Sequence, residues 1–139
     1  IVFDFNIRPT RWNKKNLNNF LDSVLKFVDI CFLSGEDMNY WKNKNNIKSY
    51  EQIVRKYKIK HSIFRKNAKF TYVFLNKTRY VFRNKLLKKV VDTSGAGDGF
   101  NAAYLSNFIV NNDPVLALKA GSSLGSKIVM KKGAIVDVK

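Results

Sequence analysis

Residues 90–101 read V-V-D-T-S-G-A-G-D-G-F-N and organise the rest of the chain. The apolar pair that opens this stretch predicts the end of a strand, and the small residues after it predict a turn. A helix is predicted to begin inside that turn and to run from about residue 98 to residue 110. Gly95, Ala96 and Gly97 expose their backbone N–H groups at the positive end of this helix. Such a helix start has unpaired N–H donors, so the stretch predicts an anion-binding site.

A carboxylate follows these small residues, at the position where an anion would bind. A carboxylate beside a phosphate raises the Coulomb energy, so stability alone does not favour Asp98 there. A base that removes a proton from an attacking hydroxyl would need this position. We therefore predict that Asp98 is a catalytic base. The alternative is an ordinary helix start with an acidic residue in its first turn, which is common.

The segment Asp92–Phe100 matches D-T-x-G-A-G-D-x-F and resembles the signature of the ribokinase-like (PfkB-type) sugar kinases. This resemblance implies that the backbone of Gly95, Ala96 and Gly97 holds the transferred phosphoryl group. It implies that Asp98 contacts the sugar and takes the proton from its hydroxyl, with ATP and Mg²⁺ as cofactors, in a three-layer α/β/α ribokinase-like fold. The alternation of strand and helix patterns likewise predicts an α/β fold with a mostly parallel sheet. No Walker pattern G-x-x-x-x-G-K-[ST] occurs, which excludes the P-loop kinases.

The chain as a whole resembles the C-terminal half of such a kinase. It has 139 residues, which is enough for one domain with a hydrophobic core. It begins directly with an apolar pattern over residues 1–5, which predicts a strand buried on both faces. We therefore expect residues 1–139 to be the C-terminal part of a sugar kinase domain whose N-terminal half and lid are missing. This piece alone is expected to be inactive.

The end of the first predicted strand carries polar residues that suit an acidic sugar. The pattern D-x-N-x-R-P-x-x-W over residues 4–12 resembles the matching segment of one subgroup, the 2-keto-3-deoxygluconate kinases. The resemblance implies that Arg8 pairs with the substrate carboxylate, which a guanidinium can bind through two parallel hydrogen bonds. Asn6 belongs to the same carboxyl end, where ligands of parallel sheets bind, and is assigned to the cofactor. The pattern recurs in other sugar kinases, so ribose, fructose or a nucleoside remain alternative substrates.

A second nucleotide contact is predicted between two strands, where the family has a turn against the nucleotide. The residues assigned to this contact are Arg65, Lys66, Asn67, Ala68, Lys69 and Phe70. Asn67 replaces the usual glycine, and since asparagine tolerates a positive φ best after glycine, the turn is predicted to survive. Phe70 replaces a small residue and would crowd the nucleotide.

Residues 34–37 read S-G-E-D where the family commonly has N-x-x-E, linked to magnesium and phosphate. Ser34 is predicted to cap a helix. A metal role for Glu36 or Asp37 stays open beside the simpler interpretation, which is that the helix dipole favours carboxylates in a first turn. The metal ligands are therefore left unassigned.

The remaining elements follow from periodicity and turn residues. Predicted helices cover residues 14–28, 50–57, 101–111 and 115–130, with Pro114 before the last; predicted strands cover 30–33, 62–65, 70–75 and 80–82; and 42–48 are predicted to form a loop. The small residues of helix 115–130 resemble those beside the adenine in the family. The sequence K-G-A at 132–134 resembles the turn that closes its nucleotide pocket.

The composition is strongly basic, with a formal net charge of +16. That charge could serve a nucleic acid or another polyanion. Lysine and arginine do not cluster in one stripe, however, and Lys, Asn and Ile are abundant throughout, so we expect no specific nucleic-acid partner. A basic nucleic-acid-binding module and an inactive remnant remain alternative functions. The expected partners are ATP and a small-molecule sugar acid, with oligomerisation left open.

Few residues suggest other chemistry. Cys31 is the single cysteine and excludes an internal disulfide, so we predict a reducing, cytoplasmic environment. His61 is the single histidine and has no partner at catalytic or zinc-ligand spacing, which predicts a structural role. No apolar run approaches the length of a membrane span, so no membrane partner is expected. The function predicted is ATP-dependent phosphorylation of 2-keto-3-deoxygluconate to its 6-phosphate.

Overall fold

The computed structural model describes residues 1–44 and 49–137. The chain forms two compact units, Ile1–Val81 and Phe82–Lys139. A five-stranded sheet has its strands side by side in chain order. These strands are Val2–Asp4 (β1), Ile30–Ser34 (β2), His61–Arg65 (β3), Phe70–Leu75 (β4) and Thr78–Arg83 (β5).

The first three strands run parallel, with Phe32 of β2 lying between Asp4 of β1 and Ile63 of β3. β4 runs antiparallel to β3. β4 and β5 are joined at Asn76 and Lys77, whose φ angles of 49° and 78° are those that a type I′ hairpin turn requires. Because β1, β2 and β3 are parallel, their carboxyl ends lie along one edge of the sheet, which is where such sheets bind ligands.

The α-helices of the first unit are Lys14–Val24 (α1), Gly35–Lys44 (α2) and Tyr50–Lys56 (α3), with 3₁₀ turns at Pro9–Arg11 and Leu25–Phe27. The helix predicted over 14–28 therefore ends its α-helical part at Val24 and continues as a 3₁₀ turn. The loop predicted over 42–48 is wrong at 42–44, which extend α2, while 45–48 lie outside the described residues. Trp41, only 1% exposed, anchors this end of α2 in the core, which explains why the polar residues after it stay helical.

The core of the first unit gathers apolar side chains from its helices and strands. Its most buried members include Leu17, Leu21, Leu25, Cys31, Leu33, Trp41 and Ile53. Burial raises the pKa of the Cys31 thiol to about 12 and lowers the pKa of His61 to about 4. Both side chains are thus held in their neutral forms inside the sheet.

The strand predicted at the start of the chain forms, but it is not buried on both faces. Val2 is 51% exposed, whereas Phe5, one residue beyond β1, is 6% exposed. Among the strands of residues 1–44 and 49–137, β1 lies at one end of the order and pairs with β2 alone. The apolar pattern at its start is therefore left partly in solvent.

The second unit contains the helices Ala96–Asn111 (α4) and Pro114–Ile128 (α5). α5 starts as predicted, with Pro114 in its first turn. The Asp113 side chain accepts hydrogen bonds from the N–H groups of Val115 and Leu116 over 2.7 and 3.1 Å. The glycines of α5 allow close packing on α4, since a Cβ added at Gly121 would lie 2.9 Å from the carbonyl oxygen of Phe100. The small residues of α5 thus serve the contact between these two helices.

The strand end predicted at Val90 and Val91 is wrong. Both residues are irregular and roughly half exposed. The N–H groups of Val91 and Asp92 donate to the Val129 carbonyl at the end of α5, over 2.7 and 3.2 Å, so they are not available to a neighbouring strand. None of the helices in the described ranges is long and apolar enough to cross a membrane.

Candidate active site

The turn before α4 is built around Gly95, which has a φ of 73° and forms the N-cap of the helix. A side chain is disfavoured in this left-handed conformation. A Cβ added at Gly95 would also lie 2.5 Å from the carbonyl oxygen of Ala134. Both the conformation and the packing therefore require glycine, and the 132–134 turn packs directly against this position.

α4 starts at Ala96, two residues before the predicted start at Asp98. The Ala96 N–H donates to the Thr93 carbonyl over 3.3 Å. The amides of Gly97 and Asp98 fall in the first helical turn, where an α-helix provides no acceptor of its own. The Asp98 side chain is exposed and lies in the same turn. A phosphoryl group bound to these amides would thus have a carboxylate beside it.

Asp92 holds this turn in place. Its Oδ1 accepts from the Ser94 N–H over 2.8 Å and its Oδ2 from the Gly133 N–H over 2.9 Å. These backbone hydrogen bonds lower the pKa of Asp92. Sequence reasoning gave Asp92 no role, although its place two residues before Ser94 is typical of an Asx turn. The bond to Gly133, 41 residues away, has no local signal.

In the first unit, the chain leaves β1 by a sharp change of direction. Phe5 still donates to the Phe32 carbonyl over 3.0 Å, and Asn6 then adopts a φ of 36°. Ile7 is buried, while Asn6 and Arg8 on either side of it are exposed. The segment therefore presents the predicted cofactor and substrate residues outward at the carboxyl end of β1.

Asp37 supports this segment from the next strand–helix junction. Its Oδ1 accepts from the Ile7 N–H over 2.6 Å, and its Oδ2 accepts from the Ser34 N–H over 3.0 Å and the Ser34 hydroxyl over 2.6 Å. The Ser34 hydroxyl in turn accepts from the Asp37 N–H over 3.1 Å, which confirms Ser34 as the cap of α2. Asp37 is only 6% exposed, whereas Glu36 is exposed.

The turn between β3 and β4 survives without its usual glycine, but not in the predicted way. Asn67 does not adopt a positive φ. Instead its Oδ1 accepts from the Lys69 and Phe70 N–H groups, each over 2.9 Å, and closes the turn through the side chain. The carbonyl of Lys66 lies directly over Gly35, so that a Cβ at Gly35 would overlap it. The turn therefore packs against the start of α2.

The other residues assigned to the nucleotide are partly engaged with their neighbours. The Arg65 guanidinium lies 3.9 Å from the Asp4 carboxylate, across β2. The Lys66 ammonium lies 5.8 Å from the centre of the Tyr72 ring. Ala68 is exposed and Phe70 half-buried. The ends of β1, β2 and β3 thus gather Asn6, Arg8 and Arg65–Phe70 in the first unit, while Gly95–Asp98 belong to the second unit.

Comparison with known proteins places the chain in a family. The family model described as pfkB family carbohydrate kinase matches residues 1–139. The chain is 28% identical over 141 residues to a 2-dehydro-3-deoxygluconokinase from Haemophilus influenzae, covering 99% of this chain and 45% of that protein. It is also 28% identical over 137 residues to a 5-dehydro-2-deoxygluconokinase from Bacillus licheniformis, covering 94% of this chain and 41% of that protein. The chain therefore spans less than half the length of these curated relatives.

Solved structures with the same fold include a fructokinase and a putative ribokinase. A fructokinase from Vibrio cholerae O395, in a fructose, ADP and calcium ion bound form, superposes with a TM-score of 0.82 at 23% identity, covering 99% of this chain and 46% of that one. A putative ribokinase II from E. coli, in complex with ATP and Mg²⁺, superposes with a TM-score of 0.82 at 21% identity, covering 96% of this chain and 43% of that one. These likenesses confirm the predicted α/β, ribokinase-like fold. The family match over the full length of the chain shows that it belongs to the pfkB family of carbohydrate kinases.

Proposed function

We propose that the protein, at its full natural length, transfers the γ-phosphoryl group of ATP to the 6-hydroxyl of 2-keto-3-deoxygluconate. The observation that carries this proposal is the exposed Asp98 carboxylate in the first turn of α4, directly after amides suited to an anion. Membership of the family supports a carbohydrate kinase. Several relatives are named 2-dehydro-3-deoxygluconokinase, and 2-dehydro-3-deoxygluconate is another name for 2-keto-3-deoxygluconate. These relatives support the proposed substrate.

The chemistry assigned to α4 is an in-line displacement. The sugar hydroxyl oxygen bonds to the γ-phosphorus, the bond from that phosphorus to the bridging oxygen breaks, and ADP leaves with the bond's electrons. The hydroxyl proton passes to the Asp98 carboxylate, a step worth typically 10²–10⁴-fold in rate. The amides of Gly97 and Asp98, with the helix dipole behind them, stabilise the charge on the phosphoryl oxygens.

The first unit is proposed to select the substrate. Arg8 is exposed beyond β1 on a segment that Ile7 anchors, so its guanidinium is available to a carboxylate. A neutral sugar would give that cation no partner, whereas a sugar acid forms a charge-assisted pair. Asn6 and residues 65–70 remain proposed contacts of the nucleotide.

Mg²⁺ is expected to arrive with ATP, as the phosphates of the nucleotide bind it. Among residues 1–44 and 49–137, no three His, Cys, Asp or Glu side chains gather into a group that could hold a metal ion. Both oxygens of Asp37 already accept hydrogen bonds from the protein. We therefore assign no catalytic step to a metal held by these side chains.

A substrate panel tests the proposal. ADP release by the protein at its full natural length would be measured with 2-keto-3-deoxygluconate, 5-keto-2-deoxygluconate, fructose and ribose. The highest kcat/KM is expected for 2-keto-3-deoxygluconate. A preference for fructose or ribose would contradict the role of Arg8, and no release with any sugar would contradict the kinase assignment. The 139-residue chain alone is expected to release no ADP, because its relatives are more than twice as long.

A further inference from the structure

The carboxylate of Asp37 joins two distant parts of the first unit. One oxygen binds the N–H of Ile7, which is 30 residues away, and the other binds the N–H and hydroxyl of Ser34. The Ile7 bond is the shorter of the two backbone contacts, at 2.6 Å against 3.0 Å. Asp37 and Ile7 are buried, so the Ile7 N–H would have no water to replace Asp37 if it were removed, while Ser34 is half-buried.

An asparagine side chain at this position could not hold both backbone segments as Asp37 does. Donors from the backbone approach both oxygens of Asp37, and a carboxylate can accept on both. An asparagine has one acceptor oxygen, so its NH₂ group would face either the Ile7 N–H or the Ser34 N–H. One of the two backbone donors would then be left unsatisfied in a buried place, and the segment that donates it would shift.

The segment held in this way is the one that carries the proposed substrate residue. Asn6 has a φ of 36°, which asparagine tolerates better than other residues except glycine and which turns the chain sharply after β1. Ile7 is fixed twice, by its buried side chain in the core and by its N–H on Asp37. Asn6 and Arg8 are exposed on either side, so the position of Ile7 determines where both side chains begin.

We propose that Asp37 is a positioning residue that holds Asn6, Ile7 and Arg8 in the conformation that binds the sugar acid, and that it is not a metal ligand. The identity of the bound sugar rests on the proposed function. The position where the family has an acidic residue linked to magnesium thus acts in this chain through the protein backbone, because its carboxylate is buried and both of its oxygens already accept hydrogen bonds.

The test compares Asp37→Asn with Glu36→Gln in the protein at its full natural length. Asp37→Asn is expected to raise KM for 2-keto-3-deoxygluconate by about 10-fold, as the loss of one buried charge-assisted hydrogen bond predicts. KM for ATP should rise less than KM for the sugar acid, because Asn6 is only one of the proposed nucleotide contacts, and the half-saturating Mg²⁺ concentration should stay at its wild-type value. Glu36→Gln changes an exposed carboxylate beside it and should leave KM for the sugar acid unchanged. Should Asp37→Asn not fold, Asp37→Glu keeps both acceptors but displaces them, and should show the same split between substrates.

Hydrogen exchange provides a readout that does not depend on activity. The Ile7 amide should exchange slowly in the wild type, faster in Asp37→Asn, and at the wild-type rate in Glu36→Gln. Unchanged exchange at Ile7 both in Asp37→Asn and in Asp37→Ala, which removes both acceptor oxygens, would overturn the proposal. A shifted Mg²⁺ dependence with an unchanged KM for the sugar acid would also overturn it, because that result would indicate that Asp37 binds the metal ion. If the wild type phosphorylates no sugar acid, the proposed function fails, while the exchange result still decides what Asp37 holds.

Discussion

The segment after β1 and the turn before α4 present opposite chemistry and are supported by different means. The first exposes the cation of Arg8, and the second exposes backbone donors with the anion of Asp98. Each is tied to a distant backbone N–H by an aspartate, Asp37 to Ile7 and Asp92 to Gly133. Asp37 is buried, whereas Asp92 is half-exposed.

This difference in support leads us to expect that the two regions control different steps of the reaction. A buried carboxylate fixes one conformation, because its donors have no alternative partner. The turn before α4 depends instead on glycine, which alone permits its φ and its close packing. We expect changes in the first region to alter substrate selection and changes in the second to alter the chemical step.

The largest effect is expected at Asp98. Asp98→Asn removes the proposed base and should lower kcat by about 10²–10⁴-fold with little change in KM for ATP. A coupled assay of ADP release measures both. Asp113→Asn is the matched control, since it also changes an aspartate at a helix start of the second unit, and asparagine caps helices as well as aspartate does. Equal kcat values for Asp98→Asn and the wild type would remove Asp98 from the mechanism.

Arg8→Ala should act on selection and not on the chemical step. Loss of a charge-assisted pair of about 1.5–3 kcal/mol corresponds to a rise of about 10- to 150-fold in KM for the sugar acid. KM for ATP should hardly move. Arg11→Ala, which removes an exposed arginine three residues along, serves as the control. If both variants behave alike, the effect is one of general charge, and the contrast between the two regions is lost.

Sequence reasoning succeeded where the physical cause is local. The G-A-G-D turn predicted a helix start with Asp98 in its first turn, and helix α4 begins there to within two residues. Ser34 was predicted as a cap because the residue and its effect lie in one turn. Periodicity likewise placed the main strands and helices.

Sequence reasoning failed where residues far apart in the chain determine the local structure. Val90 and Val91 look like a strand, yet the end of α5 takes the N–H of Val91. The bonds that Asp37 and Asp92 make to the backbone 30 and 41 residues away leave no trace in either local pattern. At Asn67 the turn was predicted but its cause was not, since a side-chain oxygen replaces the left-handed backbone.

Acid should distinguish the two units by the pH at which each responds. Burial lowers the pKa of His61 from 6.5 to about 4, so the folded protein keeps the imidazole neutral while the unfolded chain protonates. The free energy of unfolding should therefore fall, by up to about 3 kcal/mol, as the pH drops from about 6.5 towards about 4. His61→Gln should remove most of this dependence in urea unfolding at a series of pH values. Asp92→Asn should lower the free energy of unfolding above pH 3.8, where the lowered pKa of Asp92 stabilises the fold, and should change the slope with pH only in more acidic solution, where that contribution is lost.

The smallest expected effect concerns the glycines of the second unit. Gly95 and Gly133 both have positive φ, 73° and 97°, so alanine at either position costs about 1 kcal/mol in backbone strain. They differ in packing, since a Cβ at Gly133 meets nothing within 4 Å, whereas one at Gly95 lies 2.5 Å from the Ala134 carbonyl oxygen. Gly95→Ala should therefore lower the free energy of unfolding by about 1 kcal/mol more than Gly133→Ala, and should also lower kcat because the amides of α4 move with the turn. Equal losses in urea unfolding would mean that the Ala134 segment moves aside at no cost. The turn would then owe its shape to φ alone, and its close packing would have no part in holding the amides in place.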